Sequence, residues 1–156
     1  MIKVNLVCVG KVKEKYFAEG IAEYSKRLSR FCEFNIVELA EENINKPSSQ
    51  EKLILISKEG EKILANLKGY VVVCAIEGKK FSSEKLASKI KETAIKGGVI
   101  TFVIGGSYGV SDKVKEKADM LLSASDMTFP HTMFRLMMTE QIYRAFTIIE
   151  GTAYHK

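Results

Sequence analysis

The residues best suited to chemistry in this 156-residue chain fall in four short segments of its last third. The first is a glycine-rich turn, Ile104-Gly105-Gly106-Ser107-Tyr108-Gly109-Val110, which follows an apolar run. Glycine has no Cβ and accepts positive φ, so such a turn lets backbone amides approach a ligand at the carboxyl end of a parallel strand. The turn is not a dinucleotide fingerprint, because G-x-G-x-x-G needs glycine where Ser107 stands. Nor is it a P-loop, whose second glycine and lysine fall on Val110 and Ser111. Taken alone, it reads better as a tight turn that needs glycine for positive φ than as a ligand site.

The second segment, Leu121-Leu122-Ser123-Ala124-Ser125-Asp126-Met127-Thr128-Phe129-Pro130-His131, leads from a strand into a polar loop and then into a helix. Its small residues leave room for a ligand, and its backbone amides and carbonyls can read an adenine edge. As an ordinary loop, it would use Asp126 or Thr128 to cap the helix that follows. The third segment runs from Phe134 to Phe146. Met137, Ile142, Ala145 and Phe146 have core spacing, while Met133, Phe134, Met138 and Ile149 widen the apolar arc beyond what one small sheet needs. That width predicts a subunit interface on this helix as well as a core. Glu140 and Arg144 stand four residues apart, as a helix-surface ion pair would. The fourth segment is the tail, Gly151-Thr152-Ala153-Tyr154-His155-Lys156. Chain ends ordinarily fray, yet this one carries an aromatic ring and an imidazole.

The elements that must hold these segments are strands and helices in alternation. Ile2 to Val9 predicts a strand, Tyr16 to Leu28 an amphipathic helix, and Phe34 to Leu39 a second strand. Asn43 to Gln50 is a polar loop whose Ser48 or Ser49 caps a helix running to about Leu67. Val71 to Ile76 and Val99 to Ile104 are continuous apolar runs, the pattern of strands buried on both faces. Ser82 or Ser83 caps a helix between them that runs to about Ile95. Ser111 opens a short helix, Met120 to Ser123 is a last strand, and His131 to Ile149 a long last helix. No repeat or linker divides the chain, so residues 1–156 are expected to form one α/β domain with a mostly parallel sheet flanked by helices.

Composition narrows the class. Hydrophobic residues make up 46% and charged residues 28%, enough for a packed core and too apolar for disorder. No apolar run reaches the roughly 20 residues of a membrane span. The net charge of +5 favours a polyanionic partner, and the excess is concentrated early. Up to Arg30 there are seven basic residues (Lys3, Lys11, Lys13, Lys15, Lys26, Arg27, Arg30) against three glutamates. The three cysteines have no C-x-x-C spacing, and two of them, Cys8 and Cys74, lie inside apolar runs, as expected of reduced thiols in the cytoplasm. With only His131 and His155 available, a zinc site is not expected.

Read as an ordered set, V-I-G-G-S-Y-G, S-A-S-D-M-T-F-P-H, R-L-M-M-T-E-Q-I-Y-R-A-F and the terminal A-Y-H-K resemble the ribosomal RNA large subunit methyltransferase H group of the SPOUT superfamily. The early V-G-K-V-K-E-K-Y resembles it too, so the likeness spans essentially the whole chain. It implies an α/β fold with a C-terminal trefoil knot, which topology rules alone would not suggest. It further implies a homodimer and methyl transfer from S-adenosylmethionine to pseudouridine N3 in 23S rRNA, on the ribosome or assembled large subunit. Carried over by motif, the cofactor site comprises Cys74, Gly105, Ala124, Ser125, Asp126, Met127, Thr128 and Phe129. The family often has a bulkier leucine at the position of Cys74, whose contact is expected through its backbone. Arg135, Arg144, Tyr154 and His155 are the candidates for catalysis: the arginines for developing negative charge, His155 for the proton, and Tyr154 for stacking on the target base or cofactor, or for anchoring the tail. The apolar arc of the last helix suggests that the tail of one subunit completes the site of the other. Two other readings use the same residues: a ribosome-associated RNA-binding module without catalysis, and a nucleotide-binding enzyme with Gly105 to Gly109 as a phosphate loop.

Overall fold

The computed structural model describes all 156 residues. Along the chain run β1 (Lys3–Val9), α1 (Lys15–Leu28), β2 (Glu33–Leu39), α2 (Ser49–Leu64), β3 (Tyr70–Lys80), α3 (Ser83–Ile95), β4 (Val99–Ile104), α4 (Asp112–Lys117), β5 (Met120–Ser123) and α5 (His131–Glu150). The strands form one sheet in the order β2-β1-β4-β3-β5, and every neighbouring pair is parallel.

Alternation along the central strands feeds two cores. Val4, Leu6 and Cys8 of β1, Ile100, Phe102 and Ile104 of β4, and Val72 of β3 face the larger one. Leu28 of α1, Leu86 and Ile90 of α3, and Met138, Ile142 and Phe146 of α5 close it. The intervening Val7, Val9, Val71, Val73 and Val103 face a smaller core closed by Ile63 of α2 and Val114 of α4. This two-sided burial is why β3 and β4 read as unbroken apolar runs. Each fully buried aliphatic side chain contributes about 2 kcal/mol.

Helix starts follow local chemistry. Ser48 caps α2 in a reciprocal box with Glu51, whose side chain accepts from the Ser48 amide. Ser82 and Ser111 accept from the amides of Lys85 and Val114. α5 differs: Pro130 is its N-cap residue, and neither Asp126 nor Thr128 caps its first amides.

β3 also runs four residues past the end of the apolar stretch. After Cys74 its register with β5 shifts, and Lys79 and Lys80 pair with Leu122 and Ser123. The crossing depends on Gly78, where a Cβ would lie 2.6 Å from the Leu121 carbonyl carbon and 2.7 Å from the Leu122 nitrogen. Only a residue without a side chain lets the two backbones meet this closely. No helix is long and apolar enough to cross a membrane.

Candidate functional site

A cavity of about 790 Å³ opens where β3, β4 and β5 end. Three walls enclose it: the β3 end from Cys74 to Glu77, the glycine turn from Gly105 to Gly109, and the loop after β5. His131 and Phe134, in the first turn of α5, form part of its rim. Its size suits a nucleoside-sized ligand.

Sequence and local geometry together explain each wall. In the turn, the Gly109 amide donates to the Gly106 carbonyl at 3.1 Å. A Cβ on Gly105 would sit 2.6 Å from the Gly109 oxygen, so this fold of the turn admits only glycine there. In the loop after β5, the Ser123 hydroxyl donates to the Ser125 carbonyl at 2.9 Å, and the Ser125 hydroxyl accepts from the Met127 amide at 3.0 Å. These short-range bonds give a polar loop a defined shape. Phe129 stacks on Phe134 with centroids 6.4 Å apart, joining the loop to α5. Lys115 pairs with Glu77 at 2.6 Å across the cavity wall, and its hydrogen bond holds the Glu77 carboxyl below the usual range.

Of the residues assigned to a cofactor by motif, Cys74, Gly105, Ala124, Ser125, Met127, Thr128 and Phe129 line this cavity. Asp126 does not; its carboxylate is exposed and pairs with Lys80 at 2.5 Å. Burial pushes the Cys74 thiol up to about 12, so it stays protonated and packs rather than reacts.

None of the four candidates for catalysis lines the cavity. Arg144, Tyr154 and His155 instead meet in one cluster on their own chain. The Tyr154 hydroxyl donates to Glu140 Oε1 at 3.0 Å and lies 3.4 Å from the Tyr24 hydroxyl. Its ring packs edge-on against Tyr143 and under the Arg144 guanidinium, each at 4.8 Å. Burial and the hydrogen bonds with Tyr24 and Glu140 raise the Tyr154 phenol well above its usual value. Arg144 binds Glu140 at 2.5 Å and His155 Nδ1 at 3.1 Å. Because Arg144 can only donate, Nδ1 accepts and Nε2–H donates to Glu84 at 2.7 Å. That bond holds the Glu84 carboxyl below its ordinary range.

Arg135 stands apart from that cluster. It is 2% exposed, pairs with Glu38 at 2.6 Å and donates to the Gly10 carbonyl at 2.8 Å. Its guanidinium therefore ties the first turns of α5 to the ends of β1 and β2.

Three residues at the site were not singled out from sequence. His131 lines the cavity, its Nε2 within 3.4 Å of where a Gly10 Cβ would stand. Glu41 accepts from the Ser107 hydroxyl at 2.9 Å. Glu59 of α2 is 2% exposed and lies beneath Gly106. Its signal was present in the spacing: Leu55, Glu59 and Ile63 recur every four residues, placing a carboxyl within an apolar stripe.

Residues 2–155 match the family model described as "Predicted SPOUT methyltransferase". The chain belongs to the SPOUT methyltransferase family. Ribosomal RNA large subunit methyltransferase H of Streptococcus gordonii is 52% identical, covering 99% of this chain and 100% of that protein. The protein of that name from Streptococcus pyogenes serotype M5 is 47% identical over the same shares. Among solved structures, a probable methylase family protein from Haemophilus influenzae Rd KW20 aligns with a TM-score of 0.53 at 14% identity. That alignment covers 99% of this chain and 70% of the other, a likeness of fold.

Proposed function

We propose that this chain transfers a methyl group from S-adenosylmethionine to N3 of a pseudouridine in 23S rRNA, acting in the cytoplasm on the ribosome or assembled large subunit. The cavity carries the reading. Its volume suits the cofactor, its mixed lining offers apolar surface to a base and backbone groups to its edge, and Gly105 lets the turn close on Gly109 where any side chain would collide with backbone. The relatives' name, ribosomal RNA large subunit methyltransferase H, supports the RNA substrate.

When bound, the cofactor supplies a methyl group on a sulfonium, ready for displacement. The protein's task is to align donor and acceptor and keep water out. Gly105 and the Ala124–Phe129 loop hold the adenosine part, with Asp126 contributing backbone only. Cys74 supplies a neutral apolar contact, and Phe129 and Phe134 shield the site from solvent. The acceptor imide must lose a proton and passes through a state of greater negative charge. His155 takes up that proton, Arg144 stabilises the charge, and Tyr154 stacks on the target base. Arg135 serves by fixing the start of α5, and with it His131 and Phe134.

Two copies of the chain complete the site. The last helix carries half-buried Met133 and Met137 on its apolar arc, and the tail reaches the partner's cavity once released from its own α1, α3 and α5. A trefoil knot threaded by the C-terminal segment accommodates the pairing of β5 beyond β3. Exposed Lys11, Lys13, Lys15, Lys26 and Arg30 give phosphate contacts, so an assembled RNA surface rather than a short sequence is recognised.

The test is mass mapping of 23S rRNA from a strain lacking this protein, followed by radiolabelled methyl transfer to ribosomes from that strain. One pseudouridine without its methyl group, restored by the purified protein, is expected. Tight ribosome binding without transfer would replace this reading by a non-catalytic RNA-binding module. Mixed dimers joining a tail-deleted subunit to a cofactor-site variant should regain activity; none regained means that the tail acts in cis.

A further inference from the structure

The cavity's glycine turn is backed by a buried carboxyl that neither the methyl transfer nor the tail accounts for. Glu59 lies midway along α2, 2% exposed, between buried Leu55 and Ile63. Its Oε2 accepts from the Glu42 amide at 3.1 Å. Its Oε1 is buried with no hydrogen-bond partner. That oxygen stands 3.1 Å from where a Gly106 Cβ would be, with Val9 at 3.2 Å from the same point.

Nothing in the packing of α2 needs an acid here. A leucine or methionine would fill the stripe and cost only the bond to the Glu42 amide, whereas the buried Oε1 without a partner is costly. Lys62, the basic residue one turn along, is engaged elsewhere: it binds Glu42 at 3.0 Å and the Ala40 carbonyl at 3.1 Å. A second carboxylate grips the same turn from the outside, since Glu41 accepts from Ser107. Glu41, Glu42 and Glu59 therefore join the loop after β2 to the turn that walls the cavity. Burial raises the Glu59 carboxyl above its usual range, and neighbouring Glu41 adds to the effect. Glu59 thus holds the loop after β2 through Oε2 while its unpartnered Oε1 stands beneath Gly106.

We propose that Glu59 is a positioning residue for the methyl donor, fixing the Gly105–Gly109 turn from beneath in the form that receives it. The inference rests on the reading of the cavity as the cofactor site. It predicts that side-chain chemistry at position 59, and not merely its bulk, sets cofactor affinity.

The test is calorimetric titration of the purified full chain with S-adenosylhomocysteine, joined to measurement of KM for S-adenosylmethionine and kcat on ribosomes. Glu59→Gln keeps the acceptor for Glu42 and a polar group of the same shape beneath Gly106, so affinity within about twofold of wild type is expected. Glu59→Leu keeps the bulk and loses both functions; weakening of about tenfold is expected, appearing in KM more than in kcat. Leu55→Ala, on the same stripe, is the control for packing and should lower the melting temperature without raising KM. Should Glu59→Leu bind as wild type does, or should Leu55→Ala raise KM equally, the positioning role is overturned. Should the wild-type protein fail to bind S-adenosylhomocysteine, the cofactor reading falls, and this inference with it.

Discussion

Gly105→Ala puts a methyl group where the turn has no space, and the consequence can be worked through to a binding constant. The new Cβ would lie 2.6 Å from the Gly109 oxygen, 2.8 Å from the Gly109 carbon and 3.2 Å from the Val110 nitrogen. Carbon–oxygen contacts become comfortable at about 3.3 Å, so the turn must open by roughly 0.7 Å. All three obstacles are backbone atoms, and no side chain can swing aside to absorb the change. Overpacking of this kind costs about 1–3 kcal/mol. Relief comes from shifting the turn that walls the cavity, so much of that cost appears as weaker cofactor binding. At about 1.4 kcal/mol per tenfold, S-adenosylhomocysteine should bind roughly 10- to 100-fold less tightly. Titration calorimetry reads the affinity, and a thermal melt reads any residual loss of stability. Gly97→Ala is the matched control: φ there is +71° and nothing lies within 4 Å, so it strains only the backbone, remote from the cavity. It should lose about 1 kcal/mol of stability and no affinity. If Gly105→Ala bound within twofold of wild type, the turn would not be the cofactor's wall.

Arg135→Met removes the ion pair to Glu38 and the bond to the Gly10 carbonyl. Because Glu38 is partly exposed, the loss should be near the low end for a buried pair, about 3 kcal/mol, and an unchanged urea midpoint would refute the tethering role. His155→Ala should reduce turnover roughly 100-fold at saturating cofactor and ribosomes while leaving S-adenosylhomocysteine affinity unaltered. Near-normal turnover would remove the imidazole from the chemistry. Glu59 also gives stability a pH dependence. Because its folded-state pKa is raised, the native state holds a proton that the unfolded chain releases, so the contribution is complete below the ordinary carboxylate range and lost as pH rises through the folded value. Urea unfolding from acidic to mildly alkaline pH should show Glu59→Gln gaining on wild type as pH rises; parallel curves would mean that Glu59 is already ionised.

Much of the fold was legible because it rests on local signals. The apolar runs of β3 and β4 announced strands buried on both faces, and Ser48, Ser82 and Ser111 marked helix starts that the structure keeps within a residue. The far end of β3 was not legible. Glu77 to Lys80 is polar and carries a glycine, and its strand conformation comes from the pairing of Lys79 and Lys80 with Leu122 and Ser123, 43 residues further on. Cofactor positions carried by motif fall on the cavity because the glycine turn and the Ser-Ala-Ser loop each end a strand of one parallel sheet. Asp126 shows the limit of that transfer, since a motif gives a backbone position and not where the side chain points. Arg135 shows another: an arginine inside an amphipathic helix can face the core when a carbonyl and a carboxylate meet it there. Glu59 was missed because a carboxyl in an apolar stripe looks like a solvated face until neighbouring helices are placed. The partners of Tyr154 and His155 are likewise tertiary, drawn from α1, α3 and α5.

The sheet order has a further consequence, for the time course of folding. β1 sits inside the sheet, yet one of its two neighbours, β4, is synthesised about ninety residues later: Lys3 pairs with Val99 and Cys8 with Ile104. β5 docks only against β3. A nascent chain released as far as α3 thus has a half-built sheet whose open edge is the apolar flank of β1. Parallel pairings at such separation carry a large loop-closure penalty, so folding should be slow for a domain of this size and governed by arrival of β4. Two of the three cavity walls come later still, from residues 104 to 134, so the cavity is complete only when the first turn of α5 has been made.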